Sequence, residues 1–179
     1  MAHDALHAPW RMEYLEALGE AEKKLSRDKD QSCFLSDYWE HPELDTQNHV
    51  LYRDGEGMIL LNRYPYSNGH LLVALGEGRP RLLDYTQAQR TKLMELTSLA
   101  AAIIEEGLNP QGINIGINQG RAAGAGVPGH LHVHLVPRWS GDTNFITVVG
   151  EVRVIPASLS RMAERFRAVV RRLTDQPPA

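Results

Sequence analysis

The sequence predicts a single α+β domain with a mainly antiparallel sheet, one long central helix and a C-terminal helix. Short apolar runs follow one another with turn residues between them, and two longer segments have apolar residues at helical spacing. Strands in hairpin-like succession, interrupted by one helix and closed by another, are typical of α+β proteins. The 179 residues fit one domain, since single domains commonly span about 100–200 residues.

Composition excludes several classes of protein. Charged residues make up 23% of the chain and the net charge is −3, which argues against a disordered chain and a basic nucleic-acid binder. The single cysteine, Cys33, cannot form an internal disulfide, which fits a reducing compartment. No apolar run approaches the roughly 18 residues of a membrane span, and no signal peptide is recognisable at the start. We therefore expect a cytoplasmic protein that binds neither nucleic acid nor a membrane.

The first half of the chain predicts a helix, an irregular segment and then strands. Residues 9–22 have apolar side chains at helical spacing, so we expect residues 1–30 to form a helical or irregular extension. Residues 36–49 are rich in turn formers and predict an irregular segment, in which His41 and His49 are expected at the surface. Short strands are predicted at 50–52, 58–61 and 70–74.

The second half contains the two clearest helices. The central helix is predicted at 85–106, with Thr86 and Gln89 as a capping box and Gly107 as its end. The C-terminal helix is predicted at 157–173, with an inward apolar stripe. Between them the sequence predicts a strand at 113–117, a glycine-rich loop at 119–129, and further strands at 130–137 and 145–149.

Three histidines, His130, His132 and His134, crowd into five positions of a predicted strand. Side chains alternate between the faces of a strand, so the imidazoles share one face while Leu131 and Val133 point into a core. We expect these imidazoles to be half-exposed. A row of this kind loses burial energy and gains little packing, so a purely structural origin is disfavoured.

Two chemistries fit the row on residue type alone. Alternate strand histidines can present nitrogen ligands to zinc. One imidazole can instead attack phosphorus while its neighbours handle protons and charge. The Gly/Ala-rich segment 118–126 lies directly before the row, and backbone N–H groups of such loops bind anions, most commonly phosphate. The loop therefore favours phosphate chemistry.

Residues 130–136 match the signature His-φ-His-φ-His-φ-φ, with φ apolar, at every position. The sequence resembles the histidine triad (HIT) superfamily of nucleotide hydrolases and transferases. The resemblance extends over residues 8–14, 61–73, 112–139 and 141–145, and it is strongest to a bacterial branch similar to diadenosine tetraphosphate phosphorylases.

This resemblance implies catalytic roles for individual histidines. His132 would attack the α-phosphorus and become a covalent nucleotidyl phosphoramidate. His134 would contact the α-phosphate, and His130 and His70 would orient the row. A neutral imidazole, with an ordinary pKa of about 6.5, is a competent nucleophile at pH 7.

The resemblance also implies binding roles. Asn62 matches a position that contacts the nucleoside, typically its ribose, and Asn118 matches a position near the phosphate and the scissile bond. The backbone of Gly124, Ala125 and Gly126 would line the phosphate site.

The expected function is nucleotidyl transfer from an adenine nucleotide, with a dinucleoside polyphosphate as the favoured substrate, by a homodimer or larger homo-oligomer. Water as acceptor would make the protein a hydrolase, and orthophosphate would make it a phosphorylase; the residues do not choose between them. A nucleoside phosphoramidate hydrolase, a non-catalytic nucleotide-binding module and a zinc enzyme are the alternatives.

One departure from many bacterial relatives concerns zinc. Those proteins hold a structural zinc with Cys-x-x-Cys, a histidine after the central strand and the first triad histidine. In this sequence the corresponding stretches, residues 32–35 and 75–78, lack the two cysteine positions and the histidine. We therefore expect no metal and no cofactor. Cys33 is then expected to be a small buried hydrophobe without a ligand role toward His130.

Overall fold

A five-stranded antiparallel sheet forms the centre of the structure, a computed structural model that describes residues 33–142 and 157–174. Every neighbouring pair of strands is antiparallel, and the strand order is β1-β2-β3-β5-β4. The predicted α+β class and antiparallel sheet are confirmed. The strands are β1 (Val50–Arg53), β2 (Gly57–Leu61), β3 (Leu71–Leu75), β4 (Gly112–Ile117) and β5 (His132–Arg138).

Among the described residues, three α-helices accompany the sheet: α1 (Phe34–Glu40), α2 (Gln87–Leu108) and α3 (Leu159–Thr174). The predicted capping box at the start of α2 is present: Thr86 Oγ1 accepts from the Gln89 N–H, and Gln89 Oε1 accepts from the Thr86 N–H. The predicted end at Gly107 is wrong. Gly107 lies inside α2, where a Cβ would meet the Phe166 ring at 2.6 Å. The glycine therefore serves helix packing, and Asn109 ends the helix with a left-handed φ of 46°.

The two faces of the sheet are covered differently. One face packs against α2 and α3 and includes Ile59, Val73 and Val133. A smaller apolar cluster lies on the opposite face beneath α1, where Leu35 is completely buried. This cluster consists of Leu35, Val50, Met58, Leu60, Leu72 and Ala74.

Helix α1 corrects the prediction of an irregular segment at 36–49. A seven-residue helix is too short to be stable alone, so tertiary contacts must hold it. Leu35 provides the buried contact, and Arg53 on β1 donates to the carbonyls of Tyr38 and Trp39 at 2.7 and 2.9 Å. These contacts join residues distant in sequence, and local turn propensity cannot reveal them.

Some predictions fall outside the described residues, namely the helix at 9–22 and the strand at 145–149. Strand β5 begins at His132 instead of residue 130, because the Leu131 N–H donates to the Arg79 carbonyl of a loop and not to β3. No helix within the described ranges is long and apolar enough to cross a membrane.

Candidate active site

The histidine row lies on the α1 side of the sheet. In the pairing of β3 with β5, His132 lies opposite Ala74 and His134 opposite Leu72, both members of the cluster beneath α1. Residues directly opposite each other in antiparallel strands share a face. Leu131, Val133 and Leu135 belong to the core on the α2–α3 side. The predicted alternation of the row is confirmed.

The predicted half-exposure of the row is wrong for two of its three histidines. His130 is 1% exposed and His132 is 4% exposed, and His70 is completely buried beside them. Only His134 is partly exposed. Strand periodicity predicts the face on which the side chains lie, but the cover that α1 supplies depends on tertiary packing.

The hydrogen bonds of His130 determine its tautomer. Its Nε2 lies 2.7 Å from the Leu75 carbonyl oxygen, which can only accept, so Nε2 carries the proton. Its Nδ1 lies 3.3 Å from Cys33 Sγ and 3.4 Å from Ser36 Oγ, both of which can donate. Cys33 is therefore partly exposed and paired with His130, which corrects the expectation of a buried hydrophobe without a histidine partner.

His132 presents a lone pair. Its Nδ1 lies 2.9 Å from the His130 carbonyl oxygen and donates to it, so the neutral ring carries its proton on Nδ1. Nε2 is then unprotonated, and it has no hydrogen bond to any residue in the described ranges. This is the tautomer that a nucleophilic imidazole requires.

His134 presents an N–H donor at Nε2, because its other ring nitrogen accepts a hydrogen bond from His70. The backbone N–H of Tyr66 donates to His70 Nδ1 at 3.1 Å, so the His70 proton lies on Nε2 and is donated to His134 Nδ1 at 3.0 Å. His134 therefore carries its proton on Nε2, a buried atom with no hydrogen-bond partner among the described residues. On β4, Gly116 lies opposite His134. A Cβ added to Gly116 would meet no atom within 4 Å, so the space beside this pair is open.

Burial keeps the four imidazoles neutral at pH 7. Desolvation is the main reason that the pKa of His130 and of His132 lies below the ordinary value. Burial, assisted by the neighbouring imidazoles, lowers the pKa of His70 to about 3 and that of His134 to about 4. At neutral pH the row thus contains one nitrogen lone pair without a hydrogen bond, on His132, and one N–H donor, on His134.

Tyr66 completes the surroundings of the row. Its ring stacks on His134 at a centroid distance of 5.9 Å with an interplanar angle of 14°, and it lies 4.8 Å from the His70 ring. Tyr66 is half-exposed against the histidines, whereas Tyr64 is 81% exposed at a neighbouring cavity.

Asn62 links this cavity to the histidines. Its Nδ2 donates to His70 Nδ1 at 3.2 Å, and its Oδ1 accepts from the Tyr64 N–H at 2.9 Å. The cavity has a volume of about 180 Å³, which is enough for a planar ring system. Its lining consists of Phe34, Tyr38, Gln47, Asn48, His49, Leu61, Asn62, Arg63 and Tyr64.

Asn62→Ala is expected to raise KM for a nucleotide substrate about tenfold and to change kcat less, because a contact to the non-reacting sugar is equal in ground and transition states. Steady-state kinetics on the variant measures the two constants separately. A fall in kcat with KM unchanged would contradict a ribose contact and would indicate that Asn62 acts through His70. Gln87→Ala, at an exposed position of α2, is the matched control.

The glycine-rich loop differs from the predicted phosphate cradle in one respect. The N–H groups of Gly124 and Ala125 donate to the carbonyls of Arg121 and Gly120 at 2.8 and 3.2 Å. Two of the three predicted backbone donors are therefore engaged within the loop. The Gly126 N–H has no hydrogen bond within the described part of the chain, and its contact to phosphate stays a prediction.

Asn118 lies one step beyond the last residue pair of β4 and β5. That pair joins Ile117 to Val133, so an extended register would place Asn118 opposite His132. The register also places residue 118 on the same face as Asn114 and Gly116, the face of the histidines. The Asn118 Nδ2 lies 3.8 Å from where a Cβ on Gly124 would be, so the side chain lies against the glycine-rich loop.

Comparison with known proteins decides the family. The sequence profile of the HIT domain matches residues 43–141, more than half of the chain. The chain belongs to the HIT family. It is 40% identical over 156 residues to the AP-4-A phosphorylase of Mycobacterium tuberculosis, a match that covers 86% of this chain and 77% of that protein.

Other proteins similar to this chain include a named enzyme and a histidine triad protein of known structure. The asymmetrical bis(5'-nucleosyl)-tetraphosphatase of Schizosaccharomyces pombe is 36% identical over 95 residues, 53% of this chain and 52% of that protein. A zinc-bound histidine triad protein from Mycobacterium smegmatis has the same fold, with a TM-score of 0.66 and 27% identity. That alignment covers 80% of this chain and 96% of the other. The predicted HIT fold is confirmed.

The residues of this HIT protein do not fit a structural zinc site. Such sites use four nitrogen or sulfur ligands, whereas His130 has one thiol, Cys33, and one hydroxyl, Ser36, beside its Nδ1. The loop after β3 presents Gly78 to the same ring and supplies no side chain there. The described residues contain no group of three or more His, Cys, Asp or Glu side chains able to hold a metal ion.

Proposed function

We propose that this HIT chain is a nucleotidyl transferase or hydrolase that cleaves dinucleoside polyphosphates, with diadenosine tetraphosphate as its representative substrate. The observation that carries the proposal is the unprotonated Nε2 of His132 beside the N–H donor of His134. The named activities of the phosphorylase and tetraphosphatase relatives support the substrate class.

In the first step His132 Nε2 attacks the α-phosphorus. An N–P bond forms and the P–O bond to the departing polyphosphate breaks, so that AMP is held on His132 and ATP leaves. The positive charge on the imidazole is stabilised because Nδ1–H already donates to the His130 carbonyl. The His134 Nε2–H can donate to a non-bridging oxygen as negative charge accumulates there.

In the second step an acceptor oxygen attacks the same phosphorus and the N–P bond breaks, which restores neutral His132. Water as acceptor releases AMP, and orthophosphate releases ADP. Splitting one displacement into two is the general advantage of covalent catalysis. Asn118 and the Gly126 N–H are the proposed contacts to the phosphates.

The nucleoside of the transferred group is proposed to occupy the cavity between α1 and the end of β2. Phe34 and Tyr38 offer aromatic surface, and Asn62 stands between the cavity and the histidines. This arrangement supports a nucleotide whose base lies in the cavity, whose ribose lies at Asn62 and whose α-phosphate lies at His132.

A homodimer is proposed through the edge strand β4. Ile115 on this strand is 52% exposed, and the polar and glycine positions of β4 are open as well. An uncovered edge with an exposed apolar side chain is suited to pairing with a second copy.

The decisive experiment is incubation of the pure protein with diadenosine tetraphosphate, with and without orthophosphate, and separation of the products by ion exchange. ADP and ATP that form only with phosphate would establish a phosphorylase, and AMP and ATP without phosphate would establish a hydrolase. If neither reaction occurs, the proposal is wrong, and cleavage of nucleoside phosphoramidates or binding without turnover would take its place.

A further inference from the structure

One part of the cavity lining is polar and comes from the segment directly before β1. Asn48 and His49 are both partly buried, and both line the cavity. Within residues 33–142 and 157–174 neither side chain makes a hydrogen bond. Aromatic residues Phe34, Tyr38 and Tyr64 line the same cavity. The cavity therefore combines flat apolar surface with polar groups that have no described partner, and a planar heterocycle with a polar edge needs both.

His49 has an unusual backbone conformation at this place. Its φ is 55°, in the left-handed region that non-glycine residues seldom adopt. The Leu61 N–H donates to the His49 carbonyl at 3.1 Å, which holds the conformation against the end of β2, next to Asn62. Strained backbone positions of this kind cluster at active sites and ligand-binding sites. His49 is therefore partly buried at the cavity, whereas the sequence predicts it at the surface.

The imidazole of His49 is suited to hydrogen bonding without charge. Burial lowers its pKa, and the positive charges of Arg167 and Arg63 lower the pKa further. At neutral pH the ring therefore has one N–H donor and one acceptor nitrogen. The Asn48 carboxamide likewise offers an N–H₂ donor and a carbonyl acceptor.

We propose that Asn48, assisted by His49, recognises the edge of the base in this cavity and selects adenine over guanine. A carboxamide pairs with the N6 amino donor and the N7 acceptor of adenine through two hydrogen bonds. Guanine has O6 in place of the amino group, so its edge presents two acceptors, and one of them would face the Asn48 carbonyl. This inference rests on the proposed function, which places the nucleoside in the cavity.

The test measures the binding of AMP and GMP to the full chain by isothermal titration calorimetry. The wild type is expected to bind AMP more tightly than GMP. Asn48→Leu, which keeps the side-chain volume, is expected to reduce the AMP-over-GMP preference about fivefold to a hundredfold, mainly by weakening AMP binding. His49→Gly, which tolerates the left-handed φ, is expected to reduce the preference in the same direction. The matched control is Gln87→Leu on the surface of α2, which is expected to leave the preference unchanged.

The outcomes separate this inference from the proposed function. If both variants leave the AMP-over-GMP preference at the wild-type value, or weaken AMP and GMP equally, base recognition by Asn48 and His49 is refuted while the nucleotide site stands. If the wild type binds neither nucleotide, the cavity is not a nucleoside site and both proposals are refuted. Nucleotide binding with the expected change in preference, but without cleavage of diadenosine tetraphosphate, supports the inference and refutes only the catalytic proposal.

Discussion

His132→Asn is expected to lower the turnover of diadenosine tetraphosphate at least about 10⁴-fold while AMP affinity stays within about tenfold. The carboxamide has no nitrogen lone pair that can form the N–P bond, and removal of a covalent nucleophile has effects of this size or larger in other enzymes. Binding is preserved because the proposed contacts at Asn62, Asn48 and His134 remain. Product formation by ion exchange and AMP titration by calorimetry measure the two quantities separately.

The control for this substitution is His41→Asn. His41 has a half-exposed side chain that contacts Glu43, outside the proposed site, and its substitution is expected to leave turnover unchanged. Wild-type-like turnover by His132→Asn would refute the nucleophile assignment. A protein–AMP adduct trapped on the wild type should be labile in acid, as a phosphoramidate is, and it should be absent from the variant.

The acid side of the pH profile provides a second check on His132. Protonation removes the Nε2 lone pair, so kcat/KM falls as the pH drops through the pKa of the free enzyme. Because burial depresses that pKa, the decline is expected below pH 6.5. A decline centred above pH 6.5 would contradict the buried, neutral imidazole on which the assignment rests.

His134→Ala is expected to lower kcat about 10²- to 10³-fold with a smaller change in KM. The His134 Nε2–H is a buried donor with no described partner, and loss of one such donor to a developing negative charge has effects of this size. His134→Gln, which keeps an N–H₂ group, is expected to restore part of the lost activity. Single-turnover rates of ATP release isolate the step in which the charge develops.

His70 acts through His134, so the two substitutions should not be additive. His70→Ala removes the N–H that holds His134 Nδ1 as an acceptor and is expected to lower kcat about tenfold. Once His134 is absent, His70 has little left to orient, and the double variant should lose much less than the product of the single losses. Independent, multiplicative losses would show that the bond from His70 to His134 does not matter for catalysis.

Local sequence patterns were sufficient for much of the fold. The capping box of α2 and the alternation of β4 and β5 depend on residues within a few positions of one another. The ends of the helices were predicted less accurately, because local patterns do not include contacts with residues distant in sequence. Gly107 resembles a helix end locally, but Phe166, 59 positions later by its number, packs against it. Helix α1 was missed because its stability comes from Leu35 and from Arg53 on another element.

The candidate site likewise has features that the sequence predicts and features that depend on the tertiary structure. The spacing of His130, His132 and His134 determined by itself that the histidines face one side, since alternation is a property of the strand backbone. Their burial and tautomers were decided by the tertiary structure. The Leu75 carbonyl is 55 residues from His130, Cys33 is 97 residues from it, and His70 is 64 residues from His134.

The sequence by itself thus determined which groups stand in a row, and it carried the HIT signature. Only the tertiary structure decided which nitrogen of each ring carries the proton, because partners brought together by folding determine where a neutral imidazole holds it. The same holds for Asn48 and His49, which belong to a turn-rich segment in the sequence. In the structure, residues of α1 and β2 line a cavity together with Asn48 and His49, and this cavity makes the two residues candidates for recognising the base.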